Sequence, residues 1–192
     1  MNSRLQLLDR APDIQLPSID GSIFELSSMQ GRPLMISFFR FASCPFCNLR
    51  VHDLVKRFEE LGDNFCIVAV FDSPLDNLQK HAVGHRAPFP ILADPENYYY
   101  RAYGIEHSAG GVIKGMVTRM PTLIRGMAKG YVPTTIQGSM TTMPADFLID
   151  EEGVIQFAHY GRDEGDHLPF TQIKAFAHSR KHNSFYEHAV AG

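Results

Sequence analysis

The chain has 192 residues, a formal net charge of -3 and an ordinary globular composition, 44% hydrophobic and 20% charged. The length suits one domain with a substantial core, and the mild charge argues against nucleic acid or an anionic membrane as partner. Three cysteines do not form the framework of a secreted disulfide-rich domain, and no stretch is apolar for long enough to span a bilayer.

The first ten residues lack the apolar segment of a signal peptide, and Asp9 and Arg10 follow soon after the start. We therefore expect a single domain over residues 1–192 in a reducing, cytoplasmic location.

The N-terminal part of the chain predicts short strands and turns. Residues 14–16 lie between two prolines, and Asp20-Gly21 is typical of a hairpin turn before a strand at 22–25. The apolar run Leu34–Phe39 predicts a strand that is covered on both faces.

A helix is predicted directly after this strand. Pro45 suits the first helical position, Gly62 suits the position just past the end, and apolar residues from 47 to 61 recur at helical spacing. Residues 65–71 predict another buried strand. Strand, helix and strand form a βαβ unit, which requires a parallel pair and a right-handed crossover.

The rest of the chain continues this alternation. We expect a helix from 73 to about 83, a short strand at 91–92, a helix at 98–103, a hairpin over 147–157 and a terminal helix from 170 to about 181.

Residues 105–143 interrupt the pattern and are rich in glycine and methionine. Met116, Val117, Met120, Leu123, Ile124 and Met127 follow a helical stripe that Pro121 must break or restart. One interpretation is an inserted helix that packs on the core or at a homodimer interface. The other is a lid, because flexible methionine-lined surfaces adapt to varied partners.

The residues that carry chemistry are Cys44 and Cys47, which frame the sequence Cys-Pro-Phe-Cys between the third strand and the first helix. A sulfur at a helix N-terminus is favoured as thiolate, and a second thiol two residues on enables reversible dithiol–disulfide chemistry. Cys47 lies on the core face of the helix and is predicted to be shielded, with a higher pKa. Cys66, in a strand, is predicted to be a small hydrophobe.

Several further motifs resemble the redoxin branch of the thioredoxin superfamily, which includes the alkyl hydroperoxide reductase/thiol-specific antioxidant (peroxiredoxin) proteins. They are Ala11-Pro12-Asp13, Gly31-Arg32-Pro33-Leu34, Phe38-Phe39-Arg40, the cysteine pair, Tyr103-Gly104 and Phe147-Leu148-Ile149-Asp150. The resemblance covers about residues 10–104 and 144–178. It implies a thioredoxin-like α/β fold: a central mixed sheet flanked by helices, with an N-terminal β extension and a helical insertion at about 105–143.

Two positions depart from the peroxiredoxin pattern. Where the resemblance implies a hydroxyl residue three before the reactive cysteine, this chain has Phe41, and where it implies an arginine before the Phe-x-Ile-Asp strand, it has Pro144. Thioredoxin-type oxidoreductases hold a cis-proline there, so Met143-Pro144 is interpreted as the substrate groove beside the cysteines. Arg119 or Arg125 would then replace the missing arginine.

Arg40 and Arg50 flank the cysteine motif. Arg40 and Arg119 are candidates for stabilising the thiolate of Cys44. The alternative is that such arginines are solvated surface charges, as arginines usually are.

The leading functional prediction is a dithiol–disulfide oxidoreductase with Cys44 as nucleophile and Cys47 as resolving thiol, acting on a protein or small-molecule disulfide. Its reductant would be of the thioredoxin, glutaredoxin or small-thiol type, with no cofactor and no metal. The alternatives are a peroxiredoxin-like peroxidase that reduces hydroperoxides through the same two cysteines, and a redox-inert or zinc-stapled binding module.

Overall fold

The computed structural model describes residues 3–108, 110, 118–133 and 136–190, with the backbone alone described for 181–190. Its strands are β1 Gln15–Pro17, β2 Ile23–Glu25, β3 Leu34–Phe39, β4 Cys66–Phe71, β5 Ile91–Ala93, β6 Ala145–Ile149 and β7 Ile155–Tyr160. Its α-helices are α1 Pro45–Arg57, α2 Leu75–Ala82, α3 Tyr98–Ala102, α4 Met120–Ala128 and α5 Phe170–Val190.

The central sheet has the strand order β5-β4-β3-β6-β7, and β1 and β2 form a separate antiparallel hairpin. Strand β3 pairs in parallel with β4 and antiparallel with β6. This confirms the predicted mixed sheet, the βαβ unit and the N-terminal β extension. Because β3 is the central strand, the loop that leaves its C-terminal end emerges in the middle of the sheet.

Both faces of the sheet are covered, as the fully buried patterns of β3 and β4 require. On one face, apolar residues of α1, α2 and α5 pack against β3 residues such as Met35 and Phe39. On the other face, the β1–β2 hairpin and α3 pack against Ile36 and Phe38. The alternation of side chains along β3 therefore sends neighbouring residues into two separate cores.

The terminal helix is longer than predicted, because α5 continues to Val190 rather than ending near residue 181. Neither glycine nor proline occurs between residues 171 and 190, so nothing in the local sequence ends the helix. In its first turns, Ile173 and Ala177 are buried in the core.

Within the insertion, α4 begins at Met120 with Pro121 in its first turn, which agrees with the prediction that Pro121 breaks or restarts the helical stripe. Met116 and Val117 lie outside the described residues. Gly126 brings α4 against α1, because a Cβ at this position would lie 3.0 Å from the Pro45 Cβ and 3.2 Å from the Leu49 Cδ1.

The segment that returns from the insertion is fixed to the end of β4 by Asp72. Its carboxylate accepts hydrogen bonds from the Thr142 hydroxyl at 2.6 Å and the Ser139 backbone N–H at 3.0 Å. Gly138 has a φ of +115°, and a Cβ there would lie 2.0 Å from the Asp72 carbonyl oxygen, so this approach requires glycine. The return segment is thereby held close to the C-terminal ends of β3 and β4.

None of the helices in the described part of the chain is both long enough and apolar enough to cross a membrane.

Beneath α1, the fully buried Asp146 on β6 fixes the loop before α5. Three donors contact its carboxylate: the Ser37 hydroxyl at 2.5 Å, the Leu168 backbone N–H at 2.6 Å and the His167 ring at 3.1 Å. Burial by itself would raise the pKa of Asp146, but the His167 ring, the Arg50 guanidinium and the Ser37 hydroxyl outweigh it and hold this pKa well below its usual value. The loop of residues 161–168 is thus fastened to the sheet.

We predict that Asp146→Asn lowers the free energy of unfolding at neutral pH by about 3 kcal/mol, since it leaves buried charged and donor groups unpaired. Because the folded pKa of Asp146 is depressed, the carboxylate contributes its stability above the unfolded pKa of about 3.9, and this contribution is lost as the pH falls through the folded value. Urea unfolding between neutral and acid pH measures both effects.

The control is Asp76→Asn, an exposed carboxylate 4.0 Å from Lys80, for which we expect a change of at most about 0.5 kcal/mol. Equal unfolding free energies for the two variants would contradict the role given to Asp146.

Candidate functional site

Cys44 lies between the end of β3 and the start of α1, as predicted. It is the N-cap residue of α1, with extended backbone angles (φ -63°, ψ 120°), and Pro45 occupies the first turn. The Cys44 N–H donates to the Phe41 carbonyl at 3.1 Å, which closes a turn directly before the helix. Local sequence alone, a buried strand followed by Cys-Pro, produces this placement.

The Cys44 sulfur is ionisable near neutrality. Burial raises its pKa, but four contributions lower it: the thiol of Cys47, the charge of Arg40 and the backbone N–H groups of Cys47 and Phe46. The result is a pKa of about 7, below the usual value of a thiol. The helix N-terminus therefore lowers the pKa of Cys44 through individual backbone N–H groups rather than through the helix dipole as a whole.

Cys47 has the opposite character. It is fully buried, and burial raises its pKa well above the ordinary value, an effect that its hydrogen bond to Cys44 and the negative charge of Cys44 reinforce. The prediction of a shielded second thiol with a higher pKa is confirmed. Both cysteines are free thiols, and the Cys47 side chain is one of the causes that lower the pKa of Cys44.

Arg40 supplies the positive charge of the site. Its side chain is only 4% exposed, so the expectation of a solvated surface charge was wrong. Its guanidinium donates to the Met140 carbonyl of the return segment, which Asp72 holds in place. The insertion therefore positions the charge that acts on Cys44. Nothing in the sequence indicates this contact, because Arg40 and Met140 are 100 positions apart.

The other two arginines lie elsewhere. Arg50 is half-buried, and it donates to the Leu168 carbonyl at 2.7 Å and acts on Asp146. Arg119 is paired with Asp163 at 2.6 Å, so its charge is directed to a carboxylate. Arg125 is exposed. Of the arginines considered from sequence, Arg40 is the one whose charge lowers the pKa of Cys44.

Both sulfurs are covered by protein, each with 0% exposure. Helix α4 packs on Pro45 through Gly126, and the loop of residues 161–168 reaches Phe46, because a Cβ on Gly165 would lie 3.4 Å from the Phe46 Cδ1. The two residues between the cysteines are thus covered from two sides. Sequence reasoning assigned shielding to Cys47 but did not foresee the burial of Cys44.

The structure corrects the cis-proline expectation. The Met143–Pro144 peptide bond is trans, and both residues are buried. They line a pocket of about 260 Å³ together with Glu106, Tyr160 and Gly161, and neither cysteine lines this pocket. The Met143 N–H donates to the Glu106 carbonyl at 3.2 Å, so the two ends of the insertion pair with each other here. The assignment of Met143 and Pro144 to a substrate groove stays a prediction.

Cys66 is buried on the opposite face of the sheet, and burial raises the pKa of its thiol. Among the side chains described, no three His, Cys, Asp or Glu residues are grouped so that they could hold a metal ion.

Two residues of the site were not predicted. Asn48, in the first turn of α1, hydrogen-bonds the turn that carries Cys44, and His85 hydrogen-bonds Asn48. An asparagine near a helix start is a recognisable signal, because its side chain bonds nearby backbone groups. His85 gives no such signal, since 37 positions separate it from Asn48.

A mixed sheet flanked by helices, with paired thiols where its central strand meets a helix, defines a thioredoxin-like protein. The chain belongs to the AhpC/TSA family, whose profile matches residues 7–158.

Among similar proteins, a Mycobacterium tuberculosis protein named as a peroxiredoxin is 24% identical over 173 residues, covering 86% of this chain and 92% of that protein. Peroxiredoxin Q of Populus jackii is 24% identical over 56% of this chain and 51% of its own length.

Similar solved structures share the fold. A peroxiredoxin-like protein from Aquifex aeolicus aligns with a TM-score of 0.69 at 12% identity, over 93% of this chain and 90% of its own. Peroxidoxin BcpB from Mycobacterium tuberculosis aligns with a TM-score of 0.63 at 17% identity, over 92% and 98%. A DsbE-type thiol:disulfide interchange protein from Chlorobium tepidum gives 0.53 at 22% identity, over 81% and 85%. Family and relatives together support a thiol-based redox enzyme.

We predict that Arg40→Met raises the pKa of Cys44 by about one unit or more, because it removes an opposite charge near a buried thiolate. The ultraviolet absorbance of the thiolate, followed against pH in a Cys66→Ser background, measures the change.

Arg32→Met is the matched control, since Arg32 acts on Cys66 on the other face of the sheet. If both variants titrate like the parent, Arg40 does not support the thiolate.

Proposed function

We propose that this protein is a dithiol–disulfide oxidoreductase that works through Cys44 and Cys47. The observation that carries the proposal is the division of acidity between two thiols in hydrogen-bond contact, one with a pKa of about 7 and one raised well above the usual value. A thiolate is the nucleophile of disulfide exchange, while a protonated neighbour can wait until a mixed disulfide forms.

The reaction balances as two successive exchanges. The Cys44 thiolate attacks one sulfur of a substrate disulfide, forms a mixed disulfide and releases the first substrate thiolate. Cys47 then loses its proton and attacks the Cys44 sulfur, which releases the second substrate thiolate. The substrate gains two electrons, and the protein ends with a Cys44–Cys47 disulfide.

Formation of the mixed disulfide removes the negative charge of Cys44, one of the causes that raise the pKa of Cys47. Loss of this charge lowers the pKa of Cys47 at the step in which Cys47 must ionise. A thioredoxin-like, glutaredoxin-like or small thiol would reduce the bridged form, and a reducing compartment such as the cytoplasm suits this direction.

We predict that Cys47→Ser accumulates a mixed disulfide on Cys44 when incubated with oxidised glutathione or insulin, because the resolving thiol is absent. Cys44→Ser should reduce turnover to the protein-free rate. Mass spectrometry of the intact, acid-quenched protein locates the adduct.

Cys66→Ser is the control and should behave like the wild type, since Cys66 lies on the other face of the sheet. Turnover that survives in Cys44→Ser, or an adduct on Cys66, would contradict the assignment.

A thiol peroxidase is the second candidate, and the complete burial of Cys44 next to the Arg40 charge favours it. A hydroperoxide has few atoms and needs less displacement of the cover than a protein disulfide does. Cys44 would become a sulfenic acid as the peroxide is reduced to an alcohol, and Cys47 would condense with it to release water. Against this candidate, Phe41 and Pro144 stand where the peroxiredoxin resemblance implies polar peroxide ligands.

Stopped-flow mixing of the reduced protein with hydrogen peroxide or cumene hydroperoxide distinguishes the two candidates. If the oxidoreductase is correct and the peroxidase is not, peroxide consumption is no faster than that of free glutathione at the same thiolate concentration. A rate at least about a hundredfold higher, lost in Cys44→Ser, would make the peroxidase the better account.

A further inference from the structure

Asn48 ties together the turn that carries Cys44. Its side chain is 3% exposed, and its amide nitrogen donates to the Ala42 carbonyl at 2.8 Å and to the Cys44 carbonyl at 2.9 Å. The Asn48 backbone N–H also donates to the Cys44 carbonyl, at 3.0 Å. One residue therefore binds two successive parts of the turn, on either side of Ser43.

His85 determines which way the Asn48 amide faces. Because both donor bonds of Asn48 come from its nitrogen, its oxygen points away from the turn, and the His85 Nε2 lies 2.8 Å from it. An amide oxygen can only accept, so Nε2 must carry hydrogen. Burial, with a smaller contribution from His52, lowers the pKa of His85 to about 4, so the ring is neutral around neutral pH.

The insertion extends this chain of contacts. Tyr131, just after α4, lies against the His85 ring with centroids 5.5 Å apart and planes inclined by 33°. The contacts therefore run from the insertion through His85 and Asn48 to the backbone of Cys44.

The two bonded carbonyls matter because they belong to the turn that carries the buried Cys44, and each oxygen carries partial negative charge. An unbonded carbonyl in a site closed to water opposes ionisation of its neighbour, whereas a hydrogen bond from an amide reduces that opposition and fixes the direction of the turn.

We propose that Asn48 is a positioning residue of the redox reaction, which holds the Cys44 turn in the geometry that favours thiolate, and that His85 holds the Asn48 amide in its working orientation. This inference rests on the proposed function, because the group that it positions is the proposed nucleophile.

The first test is Asn48→Asp in a Cys66→Ser background. The carboxylate keeps the shape of the amide but cannot donate, and it faces the two carbonyls with a negative charge. We expect the pKa of Cys44, followed by thiolate absorbance, to rise by about one unit, so that the thiolate fraction at neutral pH falls about fivefold.

Asn77→Asp is the matched control. Asn77 lies on α2 and is 2% exposed, and its amide donates to the Ser73 hydroxyl at 3.0 Å rather than to the cysteine turn. It makes the same chemical change at a buried helical asparagine and should leave the Cys44 titration unchanged.

A second pair of variants keeps the test decisive if Asn48→Asp does not fold. In His85→Leu the Asn48 amide is free to turn over, so the Cys44 pKa should rise by a smaller amount. In His85→Gln a side-chain amide N–H again donates to the Asn48 oxygen, and the wild-type titration should return.

If the Cys44 pKa in His85→Leu matches the wild-type value, His85 has no part in positioning Asn48. If the pKa shift persists in His85→Gln, lost packing rather than the lost hydrogen bond explains it. If Asn48→Asp folds and shifts Cys44 no more than Asn77→Asp does, the positioning role is wrong. The titration needs no turnover, so a failure of the proposed disulfide exchange would be seen separately, as the absence of a trapped adduct in Cys47→Ser.

Discussion

The structure depends on keeping an ionisable sulfur out of water. Burial of Cys44 opposes its ionisation, and the opposition has to be overcome by groups at fixed positions rather than by solvent. Two backbone N–H groups, one thiol and one guanidinium meet this requirement, and the first two exist because α1 begins at Pro45, directly after the cysteine. The same burial raises the pKa of Cys47, so the two thiols differ in acidity, as the proposed attacking and resolving roles require.

Several parts of the chain that are distant in sequence supply the remaining constraints. Asp72, at the end of β4, fixes the return segment, whose Met140 carbonyl accepts from Arg40. Asp146 fastens the loop that reaches Phe46. The insertion is therefore part of the redox site rather than an appendage, since it both covers the cysteine motif and holds the charge that acts on it.

The elements that could be predicted from the sequence are those that local residue patterns determine. Continuous apolar runs located β3 and β4 to within one residue, and Cys-Pro between a strand and a helical stripe located the start of α1. Contacts between distant segments could not be predicted from the sequence: that Arg40 is buried, that Met143 pairs with Glu106, and that His85 contacts Asn48. Charged residues are usually solvated, so burial of an arginine becomes visible only when its partner carbonyl is placed in three dimensions.

The central claim, that Cys44 and Cys47 join and part reversibly, is tested most directly by a redox titration. The protein is equilibrated in graded glutathione buffers, quenched in acid and alkylated, and the mass of each cysteine-containing peptide is measured. The account predicts that Cys44 and Cys47 oxidise together in one two-electron transition while Cys66 stays reduced, with a midpoint near about -270 mV for a reductase or near about -120 mV for an oxidant. Persistence of both thiols across the whole range, or a disulfide that includes Cys66, would contradict it.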